Sequence, residues 1–155
     1  MNGLRQFSSR AIILLLLWTA TGLASPPQPQ HTIKEGVGWD RFTLGASANS
    51  LIDFLGFPDK HSQGRMMRWD KAGINCLLNN KDEVIELRFE KRFRGVTESG
   101  VRFGMSADQV RKIYGDAGKM DFHGEGMKLI WPSRGILIWF HNNAVYQIVV
   151  FKSQT

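Results

Sequence analysis

A chain of 155 residues, 43% of them hydrophobic, is long enough for one domain or two small fused units and apolar enough to bury a core. Its formal net charge of +6 falls to +4 once Arg5 and Arg10 are set aside with a leader. The densest cationic run, Arg88 to Arg94, is broken by Glu90, which excludes the continuous basic face, interleaved with aromatics, that nucleic-acid binding needs.

Met1 to Ala24 has the parts of a secretory signal. Arg5 and Arg10 precede an apolar stretch from Ala11 to Ala20, and the small residues Gly22 and Ala24 stand where a signal peptidase reads before Ser25. The apolar stretch falls short of the roughly 20 residues that span a bilayer. Cleavage after Ala24 and a periplasmic or secreted location are therefore expected. Ser25 to Gln30 is Pro-rich and can form neither helix nor central strand, so a disordered spacer is placed over 25–38. A first folded unit is placed over 39–95 and a second over 96–155.

In the first unit Ser47 is a helix N-cap, and Leu51, Ile52, Phe54 and Leu55 form an apolar stripe. Gly56 ends the helix and Pro58 forbids its continuation. Three strands are predicted after it: Met66 to Asp70, Ile74 to Asn79 and Val84 to Phe89. Cys76 is the chain's one cysteine, so it can make no internal bridge. It shares a strand face with Ile74 and Leu78, which predicts a buried, inert thiol.

The second unit repeats the first. Phe42 to Gly56 aligns without a gap on Val101 to Gly115, with Gly45 on Gly104, Ser47 on Ser106, Leu51 on Val110 and Gly56 on Gly115. Ser106 and Gln109 form a capping box, Asp108 complements the helix dipole, and Val110, Ile113 and Tyr114 make the stripe. Strands are predicted over Lys128 to Trp131, Ile136 to His141 and Val145 to Phe151. Trp69–Gly73 and Trp131–Gly135 are matching turn sequences. The fold class is α+β: two tandem repeats, each a helix plus a three-stranded antiparallel meander, forming one curved sheet with short helices on one face.

Strand alternation assigns the faces. Ile85, Leu87 and Phe89 point to the core, and Glu86, Arg88 and Glu90 to water. In the second unit Tyr146, Ile148 and Val150 match the core set. The opposite set there holds Val145, Gln147, Val149 and Phe151, joined by Leu137 and Trp139, and is much less polar than its counterpart. An apolar outer face calls for a cover or a partner.

Gly-Met-Ser before a capped helix ending in Gly, followed by a β-meander, resembles the repeat of β-lactamase inhibitor protein-like domains and of the small outer-membrane assembly lipoproteins of the SmpA/OmlA type. The match is strongest over Phe103–Gly115, next over Leu44–Pro58, and spans most of the chain after Trp39. The resemblance implies a tandem fold whose concave, aromatic-rich sheet face grips another protein without catalysis. The chain lacks both the disulfides of the secreted inhibitors and the lipid-attachment cysteine of the lipoproteins.

The expected function is thus an exported, non-catalytic binding module for another protein or an envelope component, using Trp139, Phe151, Leu137, Val149, Trp131 and Trp69. Aromatic anchors bury large areas with few torsions to freeze. No cofactor, metal or catalytic residue is assigned, because no Gly-x-Ser-x-Gly elbow is present and Ser106 is already explained as a cap. Two alternatives stand beside it. One is a metal-dependent envelope protein or enzyme using His123, Glu125 and His141, although that spacing matches no familiar ligand pattern. The other is a homodimer burying Leu137 and Val149.

Overall fold

The computed structural model describes residues 31–61, 65–124 and 126–154, so the leader and Ser25–Gln30 lie outside the described residues. In chain order the elements are β1 (Thr32–Ile33), β2 (Gly38–Trp39), β3 (Phe42–Thr43), helix α1 (Ala48–Leu55), β4 (Lys60–His61), β5 (Met66–Trp69), β6 (Ile74–Leu78) and β7 (Val84–Glu90). There follow β8 (Val96–Thr97), helix α2 (Ala107–Tyr114), β9 (Lys119–His123), β10 (Gly126–Trp131), β11 (Ile136–His141) and β12 (Ala144–Phe151). The class is α+β. One eight-stranded sheet runs β4-β5-β6-β7-β12-β11-β10-β9, every neighbouring pair antiparallel, and two small sheets, β1-β8 and β2-β3, lie beside it.

Four strands rather than three follow each helix, the additional ones being the edge strands β4 and β9. Gly124 and Gly126 around Glu125 suggest a hairpin or a loop, and the structure has the hairpin: β9 and β10 pair antiparallel from His123–Gly126 onward, with Gly124 in a turn conformation (φ +56°) and Gly126 already in β10. Part of 31–38, placed in the spacer, belongs to the folded domain. Ile33 is fully buried, and β1 pairs in parallel with β8 at Thr32–Val96 and Ile33–Thr97. One buried isoleucine and a two-residue ladder are too short a pattern to see beside a Pro-rich run.

Local chemistry explains the repeated motif. Ser47 Oγ accepts the Ser50 N–H at 3.2 Å, and Ser106 and Gln109 form the complete capping box. Each helix ends on a glycine with positive φ but extended ψ (Gly56 79°, −175°; Gly115 78°, −168°), outside the left-handed region. Positive φ with extended ψ is essentially closed to any residue with a Cβ. The turned-out carbonyl is then captured by an indole: Trp69 Nε1–H donates to Gly56 O at 2.9 Å, and Trp131 Nε1–H to Gly115 O at 3.2 Å. The repeated tryptophans are therefore the far ends of the two helix caps. Both are buried, at 4% exposure. The turns after them need glycine as well, since a Cβ on Gly135 (φ +65°) would lie 2.2 Å from Phe151 O.

Matching β-bulges break the alternation. Leu77 pairs with Glu86 but Leu78 with Val84; Trp139 pairs with Gln147 but Phe140 with Val145. Ile85 and Tyr146 are the extra residues, and they turn outward instead of joining the core as the alternation predicted, while Val84 and Val145 turn inward. The bulges release backbone groups for the loops that lead into the helices: Gly45 N–H donates to Val84 O and Val84 N–H to Ala46 O, with Gly104, Val145 and Met105 repeating the pattern. Each Gly-x-Ser loop is thereby tied to the far end of its own meander.

The core lies between the helices and one sheet face. Leu51, Ala107, Val110 and Tyr114 pack with Met67, Cys76, Leu87, Phe89, Leu129, Ile136, Ile138, Ile148 and Val150. Burial pushes the Cys76 thiol up to about 11, against a weaker opposing hydrogen bond from Met67. Cys76 should therefore resist a thiol-specific disulfide reagent at neutral pH until denaturant is added. Prompt stoichiometric labelling of the native protein would contradict its placement.

A second polar linkage ties the first strand segment to α2. Tyr114 Oη–H donates to Glu35 Oε1 at 2.7 Å and sits 2.7 Å from Thr97 Oγ1, which accepts the Val101 N–H at 3.0 Å. The Ser99 N–H also donates to Glu35, at 3.2 Å. Partial burial pushes the Glu35 carboxyl up, but these hydrogen bonds outweigh it and hold the group below its ordinary value. A depressed carboxyl stabilises the fold above its unfolded value, and that contribution disappears as pH falls through the lowered one. Acid unfolding of the wild type should thus exceed that of Glu35→Gln in pH dependence over this interval. Superimposable acid transitions would remove Glu35 from the account.

Candidate docking face

The sheet face away from the helices carries four of the residues expected to bind: Trp139, Leu137, Val149 and Phe151. Pairing places them in rows across the strands. One row runs Asp121–Lys128–Trp139–Gln147–Glu90, the next Lys119–Ile130–Leu137–Val149–Arg88–Asn75–Arg68–Lys60, and a third Phe151–Glu86–Leu77–Met66. In the β9–β12 half the middle positions are apolar, whereas the matching positions of β5–β7 carry Arg68, Asn75 and Arg88. None of these residues belongs to the core cluster.

The expected site residues divide three ways. Trp139, Leu137 and Phe151 sit together on this face, each half-buried. Val149 stands among them but is only 3% exposed, so it supports the patch from beneath and is closed to direct contact. Trp69 and Trp131 are corrected outright: they lie in the core with their indole N–H groups spent on helix carbonyls and offer nothing to a partner.

Several contributors escape sequence reasoning. Ile130 extends the apolar row. Lys128 Nζ lies 5.4 Å over the Trp139 ring and 2.8 Å from Asp121 Oδ2, which fixes the indole by a cation–π contact. Tyr146, turned out by its bulge, is 41% exposed, with its ring 6.4 Å from Trp139 and 6.3 Å from His141. Burial and the Glu90 charge push its phenol up, so it remains a hydrogen-bond donor. Beside it a groove of about 670 Å³ is lined by Glu90, Lys91, Arg92, Arg94, Tyr146 and Gln147. The signal for Tyr146 lies outside its strand, in the loop at Gly104 that demands backbone partners.

Several polar positions on this face are mutually engaged. Arg88 pairs with Glu86, Arg68 and Lys60 with Asp70, and Asn75 Nδ2 donates to Glu90 Oε1 at 2.9 Å. For the metal alternative, the backbone register sets His123 and His141 on either side of Gly126, and Glu125 lies outside the described residues. Among the described residues no group of three His, Cys, Asp or Glu side chains could hold a metal ion.

The fold is shared with a solved protein of the DUF4309 family. That protein is YjgB from Bacillus subtilis subsp. subtilis str. 168, similar at a TM-score of 0.56 and 10% identity, over 76% of this chain and 88% of that one. No family model and no curated protein matches the chain. The similarity to YjgB overturns the resemblance to β-lactamase inhibitor protein-like and SmpA/OmlA-type repeats. The shared motif is a poor family marker: a Gly-x-Ser lead-in, a capped helix and a terminal Gly are what this loop-to-bulge and indole-to-carbonyl geometry needs, so they do not by themselves identify a family.

Proposed function

We propose that the chain is an exported, non-catalytic binding module that docks another protein on the outer sheet face around Trp139. The observation that carries this reading is the half-buried cluster of Trp139, Leu137, Ile130 and Phe151, clamped by Lys128 and bordered by polar side chains, on a face that receives neither helix. An aromatic anchor with a polar rim is the usual anatomy of a protein-binding hot spot. Export rests on Arg5, Arg10 and the apolar Ala11–Ala20, and implies a periplasmic or secreted location.

The halves are read as products of a duplication in which the first unit kept a charged outer face and the second became the docking face. Supporting this are the ungapped Gly45–Gly56 and Gly104–Gly115 segments, the twin indole caps, the twin bulges, and the central β7–β12 pairing that joins the meanders. The test is to isolate the protein with its bound partner and compare Trp139→Ala and Phe151→Ala with wild type. Both variants should fold and lose the partner. Retention of the partner by both would refute the face. Concentration-dependent light scattering that both variants abolish would show the partner to be a second copy.

A further inference from the structure

We infer that the groove beside Tyr146 receives an acidic, extended segment of the partner, with Asp or Glu side chains spaced by apolar ones. This rests on the docking reading and names the chemistry of the occupant. Among the described residues, the groove is lined by the cations Lys91, Arg92 and Arg94 and by one carboxylate, Glu90, which already accepts from Asn75. Among the described residues, the ion pairs on this face engage Lys60, Arg68, Arg88 and Lys128 and do not include Lys91 or Arg92. An anionic side chain is the complement of such a lining.

The cations stand on a rigid base. Lys91–Phe93 is a 3-10 turn closed by Arg94 in the left-handed region, its N–H donating to Lys91 O at 3.3 Å. Phe93 anchors that turn in the interior, 4.7 Å from the Phe89 ring and 4.8 Å from Trp39. A preformed site loses less entropy on binding. The groove is also continuous with the apolar patch, because Gln147 and Glu90 line it and complete the row that contains Lys128 and Trp139. One extended peptide can therefore set acidic side chains in the groove and an apolar one against Trp139.

A nucleic-acid backbone fits less well. Its evenly spaced phosphates would meet Glu90, Glu86 and Asp121 along the same face, with no unbroken cationic track. A lipid surface wants protruding apolar groups, and the most exposed ones, Phe57 at 86% and Phe122 at 66%, lie off this face.

The test is fluorescence anisotropy of a labelled peptide of alternating Glu and Leu, titrated with the purified chain. Its Gln–Leu counterpart, oligothymidylate and anionic lipid vesicles serve as separate arms. The double variant Lys91→Glu, Arg92→Glu should weaken the Glu–Leu peptide about tenfold or more, as expected for reversing two charges at a partly desolvated rim. Lys81→Glu with Lys112→Glu makes the same charge change elsewhere and should alter affinity less than about twofold. Equal weakening by both pairs, binding of the Gln–Leu peptide as tightly, or oligothymidylate or vesicles bound with the same dependence on Lys91 and Arg92 would each overturn the inference. Loss of the native partner with Trp139→Ala but its retention with the groove variant would leave the docking face standing and dismiss the groove. The reverse pattern would keep the groove and dismiss the patch.

Discussion

Replacing Trp131 with alanine lowers the free energy of unfolding by about 4 kcal/mol, a large part of what holds a domain of this size together. Two losses combine. The buried indole leaves a cavity beside Tyr114, whose ring is 5.1 Å away, and Gly115 O at the end of α2 loses its donor. Trp131→Phe weighs them differently: it keeps most of the burial but forfeits the hydrogen bond and a little packing, so about 1–2 kcal/mol is expected. Urea unfolding followed by far-ultraviolet circular dichroism measures both. Trp131→Ala within about 1 kcal/mol of wild type would show that the indole does not join helix to sheet.

Trp139→Ala should behave in the opposite way. Its ring is half-buried and outside the core, so the thermal transition should move by only a few degrees, while partner affinity drops by about 2 kcal/mol, roughly 30-fold. Lys128→Ala tests the clamp: with no cation over the indole the ring is less well fixed, and a smaller loss of about 0.5–1 kcal/mol follows. The contrast between Trp131 and Trp139, one lost from stability and the other from binding, divides two tryptophans that composition alone cannot distinguish.

Much of the architecture is legible in the chain because short-range chemistry writes it. Ser47, Ser106 and Gln109 announce the helix starts, Gly56 and Gly115 the ends, and alternation from Ile74 to Leu78 and from Ile136 to His141 finds the central strands. What stays hidden depends on distant partners. The bulges at Ile85 and Tyr146 are set by hydrogen bonds to loops some forty residues away in sequence, so no local pattern warns that alternation fails there. The edge strand β9 carries Met120 and Phe122 on one side, but the glycines after it fit a hairpin and a loop equally well, so its pairing with β10 is not fixed by local sequence. For the site, Trp139, Leu137 and Phe151 are visible through their departure from the charged pattern of the first half. Lys128 and Ile130 are visible only once register is known. Val149 shows the limit of alternation, which says which face a side chain shares but not how deeply its neighbours cover it.

The most direct test of the docking face is a photo-reactive amino acid placed at position 137 in one protein and at position 112, on α2, in another, each expressed in the native cell and irradiated. The account predicts a discrete adduct with another protein from position 137, weakened by Trp139→Ala, and none from position 112. The same adduct from both positions, or none from position 137, would contradict it.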